Sequence, residues 1–380
     1  MSEKLRSRLL SELNNGNHEV ALKRSIDHAL SSTYKSDLNE IVRKMADLLN
    51  NKESVDLIEL NIHEYLNITQ KFEEPMRVEH SELVLKANGI SKQYAVGSFQ
   101  FKSISFELKA GSLTGVVGRN GNGKTTLLSM LSGDLLASTG FIEYPLIAAK
   151  NQDPYTIKQH IGYIPQRIPA WFGVLEDNLK FALATLGFHP EEIEFRVEIM
   201  LKRLGLYEYR QFTWSQISGG YRTRFELAKV LLKRPSILVL DEPLANLDVK
   251  AQQTFLQDLK YMAMTEGHPM AVILSSQLLH EVEQVSDDLF FIKDGHCLYQ
   301  SASTPNNLET IIIEFISSNP FEEIKKIANG LNGELKAENN FYTLTTSKIL
   351  SAKILLKRIL DADIDIQYYR DITNSTKRLF

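Results

Sequence analysis

Cysteine is nearly absent: Cys297 is the single thiol in 380 residues. That excludes an internal disulfide framework and any multi-cysteine zinc site, and it suits a reducing compartment, so a cytoplasmic location is expected. Long apolar runs are missing as well. Nowhere do about 18 apolar residues follow one another without a charge, and the opening MSEKLRSRLL has no apolar signal region. Neither secretion nor membrane spanning is expected, and a role at a membrane needs a partner that spans it. There is no basic excess either, with 43 Lys and Arg against 47 Asp and Glu and a net charge of -4, so no nucleic acid is expected as partner. The composition that remains, 43% hydrophobic and 24% charged, is that of a globular chain with a sizeable core and, from its length, two or three domains.

Three segments follow from periodicity. Over residues 1–75, Leu22, Ile26, Ala29 and Leu30 form one helical stripe, and Leu38, Ile41, Val42, Met45, Leu48 and Leu49 form another. SSTYKSD and NNKES supply turns and caps between them, which predicts an N-terminal bundle of three or four helices. Such a bundle reads first as a packing or dimerisation appendage and second as a sensor. EEPMRVEHSE, residues 73–82, reads as a linker.

Residues 82–303 alternate apolar strands with amphipathic helices: LTGVVG (113–118), SILVL (236–240), AVILSS (271–276) and DLFFIKDG (288–295) are strands of a largely parallel α/β sheet. Between them, LEDNLKFALATLG and FRVEIMLKRLGL predict an inserted helical subdomain at about 167–220. Residues 305–380 run strand, helix, strand, strand, helix, strand, the βαββαβ order of a small ferredoxin-like α+β domain, which can bind small ligands, pair with a copy or brace a neighbour.

Chemistry concentrates in the middle segment. GRNGNGKT runs through Gly118, Arg119, Asn120, Gly121, Asn122, Gly123, Lys124 and Thr125, with Thr126 next; it follows a strand and opens a helix, the setting in which GxxxxGK[ST] cradles phosphate. Lys124 is expected to reach the β and γ phosphates and Thr125 to coordinate Mg²⁺. SILVL then runs into Asp241 and Glu242, placing two carboxylates at the carboxyl edge of a buried strand. Two anions there require a cation; Mg²⁺ beside Asp241 supplies it, leaving Glu242 to polarise the attacking water. A third element, Ser218, Gly219 and Gly220, opens an amphipathic helix where a hydroxyl, free N–H groups and the helix dipole converge on an anion.

In this order and spacing, the phosphate loop, ISGGYR and LVLDEP resemble the ATP-binding cassette (ABC) ATPases over about residues 82–303, a P-loop NTPase fold with a helical subdomain. The resemblance implies further roles. Tyr94 would stack on adenine, Gln166 would touch Mg²⁺ and water and signal to a membrane partner, and Asp248 would link two active sites. It also implies a dimer, with Ser218, Gly219 and Gly220 of one copy capping ATP held by the other; a homodimer is expected ahead of a heterodimer. Tyr221 stands where glutamine is commonest in the family.

The strand after the acids ends in LSSQLL, and Gln277 stands there where the family usually has a histidine against the γ-phosphate. His280, about one helical turn further, is not expected to substitute. An amide can donate to phosphate but cannot carry an imidazolium charge, so hydrolysis is expected to survive at a reduced or altered rate. Single-cassette architecture and SSxLLxEVEQxSD look like the stand-alone ATPases of ABC-2 and drug-export transporters, served by a separate multi-spanning permease. The alternatives are a soluble ABC-type switch, or an ATP-gated assembly module with little turnover.

Overall fold

Apolar residues at three- and four-residue spacing fold the start of the chain into α1 (Glu3–Asn14), α2 (His18–Ser31), α3 (Asn39–Asn50) and α4 (Val55–Thr69). The computed structural model describes residues 3–32, 36–50, 55–70, 80–97, 99–148, 153–265, 268–277, 279–300, 310–338, 341–347 and 352–371. Most of the linker read at 73–82, and parts of SSTYKSD and NNKES, lie outside those residues. Two compact units result, Met1–Ser301 and Ala302–Phe380.

In the first unit, β1 (Leu83–Gln93), β2 (Gln100–Lys109), β3 (Leu113–Val117), α5 (Lys124–Leu131), β4 (Thr139–Glu143), α6 (Pro145–Ala148), α7 (Pro154–Gln159) and β5 (Ile161–Ile164) come first. The helices α8 (Leu175–Ala184), α9 (Pro190–Arg203) and α10 (Gly219–Leu232) follow. Then come β6 (Ile237–Leu240), α11 (Val249–Ala263), β7 (Ala271–Ser276), α12 (Leu279–Val285), β8 (Asp288–Lys293) and β9 (His296–Gln300). The main sheet has the order β5-β6-β7-β3-β8-β9, parallel except for β9. Every residue of β3, β6 and β7 is buried, as continuous rather than alternating apolar strands require when both faces are covered. Because these three are neighbours, their carboxyl ends deliver the loops after residues 117, 240 and 276 to one edge. A smaller antiparallel sheet, β2-β1-β4, covers the start of α5 from the other side.

The helical subdomain is organised by tryptophan. Trp171 stacks on Trp214 at 5.0 Å and meets Phe225 of α10 edge-on, while its indole N–H donates to Glu226 at 2.9 Å. Its core does not stop there. Leu22, Ile26 and Met45 of the first helices share one continuous apolar cluster with Leu179, Val197 and Leu201, so the N-terminal bundle is built onto the helical subdomain. Polar contacts reinforce the junction: Arg203 of α9 donates from Nε and Nη2 to the two carboxylate oxygens of Asp27, each at 2.9 Å. Arg196 donates to the carbonyls of Leu30 and Ser32, and Arg43 pairs with Glu198 at 2.9 Å.

The second unit comprises β10 (Thr310–Ser317), α13 (Phe321–Gly330), β11 (Glu334–Glu338), β12 (Phe341–Ser347), α14 (Ala352–Asp361) and β13 (Ile366–Asp371). Its antiparallel sheet has the order β11-β12-β10-β13, and Ile313 and Phe315 bury against Ile324, Leu355 and Ile359 of the two helices. Among the described residues no helix is long and apolar enough to cross a membrane.

Candidate nucleotide site

The loop after β3 is shaped by glycine and held from behind. Gly121 and Gly123 take φ of 80° and 106°, the left-handed region that side chains disfavour. Gly118 has a different reason: a Cβ there would collide with the carbonyl of Ile292 in β8. Asn122 locks this approach, donating from Nδ2 to that same carbonyl at 3.1 Å and accepting from the Gly295 N–H at 3.0 Å. Asn122 is thus a brace as well as a loop residue, a role its spacing did not reveal.

Lys124 opens α5 and is 5% exposed. Its ammonium donates to the carbonyls of Gly118 at 2.8 Å and Arg119 at 3.3 Å and lies 2.9 Å from Glu242 Oε1. The next residue connects the loop to the acidic strand, since Thr125 Oγ1 donates to Asp241 Oδ2 at 2.7 Å. The two acids therefore separate: Asp241 faces the threonine, Glu242 the lysine. Glu242 holds φ of 51°, a backbone conformation uncommon outside glycine, which persists only where its surroundings enforce it.

Ser275, fully buried near the end of β7, does the enforcing. Its hydroxyl donates to Asp241 Oδ1 at 2.6 Å and accepts from the Glu242 N–H at 2.8 Å, fixing both acids through one atom. Sequence reading passed over it. The available signal was a hydroxyl directly after the apolar run AVIL, still inside the strand, because a buried hydroxyl must find partners.

The remaining candidates surround this centre without all touching it. Tyr94, 38% exposed, brings its hydroxyl to 3.1 Å from Thr126 Oγ1, with its ring beside Phe99. Gln277 is exposed immediately beyond Ser276, and Gln166 is exposed two residues beyond β5; neither makes a hydrogen bond among the described residues. His280 falls in α12. Ser218 caps α10, and Gly219 and Gly220 pack closely on Asn246 and Leu247. Asp248 caps α11, accepting from the Ala251 N–H at 2.9 Å. Among the described residues these signature positions make no hydrogen bond to the phosphate loop. Tyr221 has a local reason: its hydroxyl donates to that of Tyr209 at 2.9 Å, tying the start of α10 to the preceding loop.

The donor set suits Mg²⁺. Thr125 and Asp241 offer hard oxygens within hydrogen-bond reach of each other at a buried strand end, and Mg²⁺ characteristically takes one or two such protein ligands together with phosphates. When bound there, the ion would offset phosphate charge.

Residues 101–245 match the family model described as ABC transporter. The chain is 30% identical to the energy-coupling factor transporter ATP-binding protein EcfA1 of Caldanaerobacter subterraneus subsp. tengcongensis over 221 residues, 56% of this chain and 78% of that protein. It is 29% identical to the ABC transporter ATP-binding protein NatA of Bacillus subtilis over 203 residues, 53% of this chain and 81% of that protein. In structure it superposes on cbiO1 of Clostridium perfringens, part of an ABC transporter complex, with a TM-score of 0.52 and 26% identity, covering 58% of this chain and 88% of that one. The chain therefore belongs to the ABC transporter ATP-binding proteins, P-loop ATPases that bind ATP with Mg²⁺ and hydrolyse it to ADP and phosphate.

Proposed function

We propose that this protein is the energy-coupling subunit of an exporter, closing as a homodimer around ATP and driving a separate multi-spanning permease. The observation that carries the ATPase part of this reading is the single knot of Lys124, Thr125, Asp241, Glu242 and Ser275 at the carboxyl edge of β3, β6 and β7. In it, the loop from Gly118 to Thr126 wraps the phosphates, with Lys124 on the β and γ groups. Thr125, Asp241 and Gln166 hold Mg²⁺, Glu242 polarises the attacking water, and Gln277 donates to the γ-phosphate.

Tyr94 stacks on adenine, while Ser218, Gly219 and Gly220 of the partner copy complete the phosphate cage and Asp248 couples the two sites. Exposure of Ser218 and Asp248 supports this use, since both remain accessible to a second molecule. The protein then sits on the inner face of the cell membrane through its permease. Export is the direction the sequence resemblance favours, whereas the EcfA1 relative is named for an energy-coupling factor transporter.

Phosphate release by wild type and Glu242→Gln tests the catalytic part: a rate well above background for wild type alone is expected, and equal background rates would overturn it. Purification from membranes tests the transport part. Recovery with a multi-spanning partner is expected; a wholly soluble protein bound to ribosomes or DNA would favour the soluble switch.

A further inference from the structure

Pro243 to Asp248 lead from the acids after β6 into α11 through a run of turns. This short segment touches more than one part of the proposed chemistry. At its start the Ala245 N–H donates to the Glu242 carbonyl at 3.3 Å, beside the left-handed φ of 51° that Glu242 holds. In its middle, Asn246 and Leu247 pack closely on Gly219 and Gly220. At its end Asp248 caps α11.

A turn outside regular structure has carbonyls that no ladder pairs, and those turned inward must find donors. Within the segment, the Leu247 N–H reaches the Leu244 carbonyl at 3.2 Å. Two further bonds come from one side chain. Gln252, one turn into α11 and 9% exposed, donates from Nε2 to the Leu244 carbonyl at 3.2 Å and to the Leu247 carbonyl at 3.0 Å. Its own N–H makes the ordinary helical bond to the Asp248 carbonyl at 2.8 Å, so the helix that carries the amide is joined to the end of the segment it holds. A primary amide has two N–H donors, and Gln252 turns its amide nitrogen onto two carbonyls of the same segment. Leucine, of similar volume, offers no donor; an ionised glutamate would turn an anion toward two carbonyl oxygens.

We propose that Gln252 is a positioning residue for ATP hydrolysis. It sets the shape of the segment joining Glu242 to Gly219 and Gly220, and so the register between the water-polarising acid of one copy and the phosphate cage which that copy completes for its partner. This rests on the homodimer reading given above. Gln252 acts through the segment and not on nucleotide, so its loss falls on turnover and on coupling between the two sites, while ATP affinity is spared.

Steady-state turnover against ATP concentration, for full-length wild type, Gln252→Leu and Gln252→Glu, tests this. Wild type is expected to respond cooperatively, with a Hill coefficient above one. Gln252→Leu is expected to lower maximal turnover about tenfold and to bring the Hill coefficient down to one, while binding a fluorescent ATP analogue as tightly as wild type. Gln252→Glu adds a pH signature. Its carboxyl becomes a donor once protonated, and burial raises a carboxyl's pKa, so its turnover relative to wild type is expected to climb as pH falls from about 7 to about 5. Lost packing alone gives no such climb. Wild-type turnover and cooperativity in Gln252→Leu, loss of analogue binding by that variant, or a Gln252→Glu ratio indifferent to pH would each overturn the proposal and leave the homodimer reading standing. A wild type without cooperativity would overturn that reading, and the proposal with it.

Discussion

Ser275 Oγ and Asp241 Oδ1 lie 2.6 Å apart across the seam between β6 and β7, and the same oxygen accepts the N–H of Glu242. One hydroxyl thus sets the orientation of the residue proposed to hold the metal and the backbone of the residue proposed to polarise the water. Ser275→Ala removes both bonds inside a buried setting, where each unpaired group costs about 1–3 kcal/mol. We expect ATP turnover to fall between about tenfold and a hundredfold and the Mg²⁺ requirement to rise. Turnover measured against Mg²⁺ concentration checks this; an unchanged curve refutes it.

The Lys124–Glu242 pair at 2.9 Å predicts a competition. A phosphate that takes the ammonium must displace the carboxylate, so Glu242→Gln should bind ATP more tightly, on the order of tenfold, while hydrolysing it more slowly. Binding of a fluorescent ATP analogue to both proteins gives the comparison, and weaker binding by Glu242→Gln contradicts the competition.

Gln277 stands exposed one residue beyond the strand that carries Ser275 and Ser276. Replacing its amide by an imidazole that can carry charge should raise the maximal turnover rate, on the order of tenfold. A Gln277→His protein no faster than the parent in steady-state assays would count against a γ-phosphate contact at this position.

His268 gives a pH dependence. Burial pushes its imidazole below the ordinary value, helped by the charge of Arg234, while Nε2 lies 2.9 Å from the Arg234 carbonyl and 3.0 Å from that of Pro235. A histidine depressed in the folded state contributes stability that is present above its unfolded pKa of 6.5 and is lost as pH falls through the lowered value. Melting temperatures should therefore drop as pH falls below about 6.5, and His268→Gln should flatten that part of the profile. A profile of the same steepness in both proteins rules the assignment out.

The buried pair between Asp27 and Arg203 makes the bundle's attachment sensitive to one atom group. Asp27→Ala leaves the Arg203 guanidinium buried with only the longer contact to Asp258, a change that costs about 3–5 kcal/mol. Thermal unfolding should move down by several degrees, about 2–4 °C for each kcal/mol in a domain of this size. An unmoved transition would show that the pair is energetically neutral.

How much of this was legible in the sequence depends on the range of the interaction. The phosphate loop and the acidic strand end are local patterns, and a parallel sheet brings their ends together whatever the rest of the chain does. Ser275 was visible only as a hydroxyl in AVILSS, because its importance lies in a partner 34 residues away. Asn122 reads in the sequence as one residue of the phosphate loop, since nothing near it announces the Ile292 carbonyl it also holds. The stripes of the N-terminal helices foretold burial, but periodicity carries no address: Leu22 and Ile26 read the same whether they face each other or, as here, also reach the core of α9.

That shared core separates two boundaries that are commonly treated as one. Family resemblance begins near β1, whereas the compact unit begins with α1, and the apolar wall formed by Leu179, Val197 and Leu201 is completed only by residues upstream of the resemblance. A protein trimmed to the family limits would present that wall to water, an apolar surface that the full-length chain keeps covered.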